Sequence, residues 1–234
     1  MSPVRITWLG HATFQIELGQ GETVIIDPWL EGNPSCPTSH QLARVDAILL
    51  THGHFDHIND SVPLAKKFQP KVVGIFELCQ WLDSKGVQNT SAMNKGGTQQ
   101  VGSLQVTMVH ADHSCGILDG GQILYGGEAC GYVVELPDGR RLYHAGDTNV
   151  FGDMRLIREL YHPQLAMLPI GDLFTMSPRE AAVACRLLRP QKVIPMHFGT
   201  FPVLTGTPEQ LRELLKGVPE PEVVALVPGQ TYTW

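Results

Sequence analysis

The 234-residue sequence predicts an α/β domain on mixed rather than purely parallel sheet. Three observations carry this. Short apolar, β-branched runs alternate with turn signals along the chain. Two turns, Gly19-Gln20-Gly21 and Pro137-Asp138-Gly139, join neighbouring runs at hairpin spacing and so call for antiparallel pairs. Helix start signals flank further short runs in the C-terminal third.

In order, strands are expected at Val4–Leu9, Thr13–Leu18 and Thr23–Ile26. Asp46–Leu50 (DAILL) is apolar after its first residue, as in a strand buried on both faces. Lys71–Ile75, Leu104–Val109, Tyr132–Leu136 and Arg141–Tyr143 follow. Ser177-Pro178-Arg179-Glu180 combines a Ser N-cap, a first-turn Pro and a Glu that completes a capping box. Ala181, Ala184, Cys185 and Leu188 then repeat at helical spacing. Thr207-Pro208-Glu209-Gln210 repeats the start signal, and Gly217 offers a stop. Lys192–Pro195 between these helices reads as a strand. No linker, low-complexity stretch or short repeat interrupts the chain, so residues 1–234 read as one domain.

The composition, 43% hydrophobic and 17% charged, supplies a core and argues against disorder. A net charge of −6 with no basic run argues against a nucleic-acid partner. The start at Met1-Ser2-Pro3 lacks a basic, then apolar, leader pattern, and no apolar run reaches the roughly 18 residues of a spanning helix. The five cysteines are scattered and odd in number, which fits a reducing cytoplasm. The expectation is a cytoplasmic protein with no membrane partner.

The chemistry concentrates in Thr51-His52-Gly53-His54-Phe55-Asp56-His57, directly after DAILL. Three imidazoles and a carboxylate so close together suit divalent metal, the imidazoles through nitrogen and Asp through oxygen. Four other segments end expected strands with further candidates: Leu9-Gly10-His11-Ala12, His110-Ala111-Asp112-His113-Ser114, His144-Ala145-Gly146-Asp147-Thr148 and Pro195-Met196-His197. Functional groups on α/β scaffolds gather at such ends.

Taken in order, THGHFDH, DHS, HAGDT and PMH resemble the metallo-β-lactamase superfamily, and the likeness spans the whole chain. WLGHATF with TVIIDP is similar to the branch containing ascorbate-6-phosphate lactonase and N-acylphosphatidylethanolamine phospholipase D. LPIGDLFTMSPREAA and PMHFGTFP resemble a bacterial and archaeal family called only metal-dependent hydrolase. The resemblance implies a four-layer αββα sandwich with its site at one edge of two mixed sheets. It implies His52, His54 and His113 on one metal, Asp56, His57 and His197 on a second, and Asp147 bridging both. His113 is preferred to His110 because it precedes Ser114, as in the family's His-Ser.

The implied function is hydrolysis of ester-type bonds (lactone, phosphodiester or phosphotriester) in a small molecule by a metal-bridging hydroxide. Zinc is the default ion, with manganese, iron or nickel as competitors. An iron-dependent oxygenase on the same fold and a nuclease are the rival readings. Asp56 is expected to orient the nucleophile, and His144 or His11 to meet the leaving group or pocket. Asp27 is expected to hold a ligating histidine. Thr148 is expected to steady the Asp147 loop, and Asp172 to touch ligand or substrate. Cys115 is not expected to act as a nucleophile, and His40 and His162 read as surface residues. Gly120-Gly121 and Gly126-Gly127 suggest a flexible loop over the pocket. A homo-oligomer is expected by analogy with the branch.

Overall fold

The computed structural model describes residues 3–217 and 221–234, so the Met1-Ser2 start lies outside the described residues. In chain order the elements begin β1 Arg5–Trp8, β2 Phe14–Glu17, β3 Thr23–Ile26, β4 Ala47–Leu49, α1 Phe55–Ile58, α2 Ser61–Phe68, β5 Lys71–Ile75 and α3 Phe76–Ser84. Next come β6 Thr90–Met93, β7 Thr98–Val101, β8 Leu104–His110, β9 Gly116–Asp119, β10 Gln122–Tyr125, β11 Cys130–Glu135 and β12 Arg141–His144. The remainder is α4 Met154–Tyr161, β13 Leu165–Pro169, α5 Pro178–Leu188, β14 Lys192–Met196, α6 Pro208–Leu214, β15 Glu222–Val223 and β16 Thr231–Thr233.

Two seven-stranded sheets result, ordered β16-β1-β2-β3-β4-β5-β6 and β15-β14-β13-β12-β11-β8-β7. The hairpin signals act as expected. The turn after Leu18 sets the antiparallel β2–β3 register Glu17↔Thr23, and Pro137-Asp138-Gly139 sets Glu135↔Arg141 between β11 and β12. Both sheets are mixed: β3–β4, β4–β5 and β5–β6 are parallel in the first, as are β12–β13, β13–β14 and β14–β15 in the second. β4, from DAILL, is fully buried between two parallel neighbours.

Strand alternation explains the layering. Along β13, Leu165 and Met167 enter the core shared with the first sheet, while Ala166 and Leu168 enter the core under α4 and α5. Ala65 of α2 and Leu78 and Leu82 of α3 pack with the first sheet's residues. The architecture is therefore αββα. Both Pro-led helices carry complete capping boxes: Ser177 with Glu180, and Thr207 with Gln210. Among the described residues no helix is long and apolar enough to cross a membrane.

One expectation changes. Gly120-Gly121 is the turn of a two-stranded hairpin, β9 with β10, while Gly126-Gly127 lies in the connection just past β10. Gly120 and Gly121 both have positive φ, 57° and 80°, the conformation that a two-residue turn matched to strand twist requires. The glycines specify the turn, and the flanking apolar residues make strands.

The two sheets are joined close to the site. The buried Tyr132 hydroxyl on β11 donates to the Leu50 carbonyl at 2.8 Å, just beyond β4. Tyr132→Phe is expected to lower the unfolding free energy by about 1–2 kcal/mol, because it leaves a buried carbonyl short of its donor. Urea unfolding should show a lower midpoint with an unchanged slope.

Candidate metal centre

Every candidate ligand follows a strand. His52 and His54 lie in the segment after β4, and Asp56 and His57 on the single-turn helix α1. His113 follows β8, Asp147 follows β12 and His197 follows β14. The first sheet thus supplies one set and the second sheet the other, and the two meet where the strand ends adjoin.

Local chemistry fixes each group. Asp27, fully buried at the end of β3, accepts from Thr51 N at 2.8 Å and Thr51 Oγ1 at 2.6 Å. It also accepts from His57 Nδ1 at 2.8 Å. His57 Nε2 is therefore the ring nitrogen that faces the site. With the Thr51 proton committed to Asp27, its oxygen is left to accept from His52 Nδ1 at 3.0 Å, and His52 Nε2 also faces inward. Gly146, between His144 and Asp147, has φ 63°, and a Cβ there would lie 2.6 Å from the Cys130 carbonyl. Only glycine lets the chain turn Asp147 inward past β11. Thr148 steadies that turn, since its hydroxyl donates to Asn149 O at 2.7 Å and accepts from Asp112 N at 3.0 Å.

Three donor groups emerge among the described residues; in one, Asp27 with His52 and His57, the carboxylate is already committed to Thr51 and His57 Nδ1, which leaves two. His52, His54 and His113 form one, and His11, Asp56, His57 and His197 the other, each with ligand atoms within 4.8 Å of one another. Asp147 Oδ2 lies between them. It is 3.0 Å from His197 Nε2, 3.3 Å from His57 Nε2, 3.7 Å from His113 Nε2 and 3.9 Å from His52 Nε2. Buried His57 Nε2, His197 Nε2 and Asp147 Oδ1 have no hydrogen-bond partner. Buried polar atoms are normally paired, and atoms left unpaired around one space fit a site that binds a cation. The His/Asp donor chemistry and spacing suit divalent ions bound at about 2 Å.

The electrostatics differ across the cluster. Burial holds His52 well below the ordinary histidine range, and burial also lowers His54 and His113. These imidazoles are neutral at pH 7, as metal ligands must be. Burial opposes charge on His57, but Asp147 and Asp27 raise it well above its ordinary value. Burial likewise opposes the Asp147 carboxylate, yet His197 and His57 keep it well below the usual range. Asp56 is brought down to about 2: burial works against ionisation, and the His11 hydrogen bond and His57 overcome it.

His11 lines the cleft, with Nε2 2.9 Å from Asp56 Oδ2 and Nδ1 3.0 Å from Thr200 Oγ1. Burial and His197 lower its pKa to about 4, so it is neutral and donates from Nε2 to Asp56. His144 is not brought to the cleft. It is fully buried, with Nε2 3.2 Å from the Ala12 carbonyl and Nδ1 accepting from Gly146 N at 3.1 Å. Its expected role at a leaving group has no geometric route, and it braces the Asp147 turn instead. His110 is exposed, stacked edge-on against Phe151, and stands apart from both donor groups. Asp172 is an exposed turn residue whose carboxylate accepts from Leu173 N. His162 is exposed, and His40 is half-buried against Gln15. Burial pushes the Cys115 thiol up to about 11, so it is no nucleophile. It links Gly53 N at 3.2 Å to Gly126 O at 3.1 Å.

Sequence reasoning assigned no role to Thr51 or Thr200, which set histidine tautomers, nor to the cleft's apolar lining. Thr51 and Thr200 lie inside the segments THGHFDH and PMHFGTFP. A hydroxyl beside a ligating histidine was the available signal.

Residues 22–198 match the family described as a β-lactamase superfamily domain. Igni18, a solved metallo hydrolase from Ignicoccus hospitalis, shares the fold at a TM-score of 0.88 and 32% identity, over 99% of this chain and 98% of its own. The fold and site thus define a metal-dependent hydrolase of the metallo-β-lactamase superfamily. A UPF0173 metal-dependent hydrolase of Solibacter usitatus is 63% identical over 231 residues, covering 99% of this chain and 100% of the relative. Its namesake in Methanopyrus kandleri is 47% identical over 230 residues, covering 98% and 99%. The chain belongs to the UPF0173 metal-dependent hydrolase family.

His113→Ala is expected to lose one bound ion and His110→Ala to keep the full complement, as read by elemental analysis of dialysed protein. Retention of metal in His113→Ala with loss in His110→Ala would reverse the assignment.

Proposed function

We propose that this metal-dependent hydrolase is binuclear and cleaves ester-type bonds of a small molecule. The position of Asp147 Oδ2, within 4 Å of histidines from both donor groups, is the observation that supports this. His52, His54 and His113 would hold one ion, Asp56, His57 and His197 the other, and Asp147 both. When bound, two divalent ions supply an activated water for attack and polarise the oxygen of the scissile bond. Zinc is the default, and with no thiolate among these ligands manganese, iron and nickel remain competitors.

The chain's own residues prepare this site. Asp27 and Thr51 turn Nε2 of His57 and of His52 toward it. His11 holds the Asp56 carboxylate, which would orient the attacking water. Of the two histidines expected at the leaving group, only His11 lines the cleft. The cleft, about 480 Å³, suits a small molecule. Among the described residues no lysine or arginine lines it, which speaks against a nuclease. A homo-oligomer is part of the same proposal, and light scattering at 25.7 kDa would contradict it.

Protein loaded with metal should carry two ions per chain, and one or none at saturation would sink the binuclear model. His197→Ala should lose mainly one ion and retain partial ester hydrolysis at high metal, with at least about a hundredfold loss before rescue, since even residues behind the ligands contribute roughly 10–100-fold. Asp147→Ala should lose affinity at both positions and resist rescue. Near-normal turnover of Asp147→Ala at high metal would remove its bridging role.

A further inference from the structure

The walls of the cleft differ from its floor. The floor is the donor cluster. Part of the lining is aromatic: Phe55 and Phe174 are more than half exposed, and Phe55 and Phe201 both pack on Trp29, at 5.6 and 5.8 Å. Buried Leu204 is also on the lining. Leu118 and Ile123, from the hairpin β9–β10, also line it. They are directly opposite one another across the two strands and therefore share one face. The next cross-strand pair, Ile117 with Leu124, lies on the reverse face, where Ile117 is fully buried and meets Gly53. The hairpin is thus anchored by one face and presents an apolar pair over the metal ligands with the other. Ile123 is 81% exposed and Leu118 63%, a large apolar surface left in water beside a reactive centre.

Charge is as informative as shape. The only ionisable side chains among the lining residues are the donor-cluster histidines and aspartates and His11. An anionic group held between Phe55, Phe174, Leu118 and Ile123 would lose hydration without gaining a cationic partner. A hydrocarbon arm gains there by leaving water. Ser114 is the one hydroxyl on the lining, and it lies at the floor, 3.3 Å from His54 Nε2. The polar end of a ligand therefore belongs at the floor and its apolar end between the walls.

We propose that the substrate is an uncharged carboxylic ester or lactone bearing a hydrocarbon arm, which lies between the Leu118–Ile123 pair and the Phe55–Phe174–Phe201 wall. This rests on the ester-hydrolase reading and narrows it away from phosphodiesters. The hairpin is then a specificity element.

A non-hydrolysable probe separates the two readings. N-Alkylpyrrolidinones from ethyl to octyl share the neutral ring of a γ-lactone, and their binding to metal-loaded protein is measurable by calorimetry. Affinity should rise about threefold per added methylene until the cleft is full, slightly less than complete burial would give. Ile123→Lys should abolish most of that rise. Leu118→Asn, at the facing position, gives the same readout if the lysine variant fails to fold. A flat series, or diethyl phosphate binding more tightly than N-octylpyrrolidinone, would overturn the assignment. So would an Ile123→Lys variant that dissociates an oligomer while leaving the series intact, because a second copy would then be the occupant. A steep series without hydrolysis of the matching alkyl lactones supports the apolar cleft and sinks the ester chemistry instead.

Discussion

The buried carboxylate of Asp27 is the interaction on which the site depends. It closes β3 with a positive φ of 47°, a conformation that costs a non-glycine residue of order 1–3 kcal/mol. Three donors hold it there: Thr51 N, Thr51 Oγ1 and His57 Nδ1. Through Thr51 it sets the outlook of His52, and directly it sets that of His57. One carboxylate thus turns a ring nitrogen inward on each side of the cluster. The buried strand DAILL delivers Thr51 to it in register, because β3 and β4 are parallel neighbours.

The second constraint is that the donors come from two separate sheets. Several contacts hold those sheets in fixed relation. The His11 carbonyl accepts from Trp8 Nε1 and from His197 N, both at 2.9 Å, so the first and second sheets share an acceptor beside the cleft. His11 and His197 each have positive φ, 54° and 57°. Strain of this kind persists only where surrounding contacts over-determine it, and here it coincides with residues aimed at one small volume. Cys115 makes the corresponding tie between the His52-Gly53-His54 segment and the base of the β9–β10 hairpin. The reactive cluster and the wall above it are therefore one connected unit, and the thiol that links them is unreactive because it is buried.

Much of this was legible in the sequence, for local reasons. DAILL, the hairpin turns and the two capping boxes each carry their signal within a few residues. The dense cluster THGHFDH is its own signal, and each further donor follows a recognisable strand. What was illegible is non-local or short. The β1–β16 pairing joins Arg5 to Thr233, which no window along the chain can reveal. α1 is a single turn inside the metal motif, and α3 starts directly after β5 with no side-chain cap. His144 misled because proximity to Asp147 in sequence says nothing of direction. At the end of β12 its side chain turns to Phe14 and the Ala12 carbonyl, while the following turn at Gly146 sends Asp147 the other way. The apolar wall was missed because Leu118, Ile123, Phe174 and Phe201 lie far apart in the chain and resemble ordinary core residues until the fold exposes them.

In the proposed site Asp147 stands between two ions held by separate donor groups. Anomalous X-ray diffraction from crystals grown with zinc, recorded on either side of the zinc edge, tests it most directly. Two anomalous peaks are expected, one against His52, His54 and His113 and one against Asp56, His57 and His197, both in contact with Asp147. A single peak at saturating zinc, or a second peak out of reach of Asp147, would contradict it.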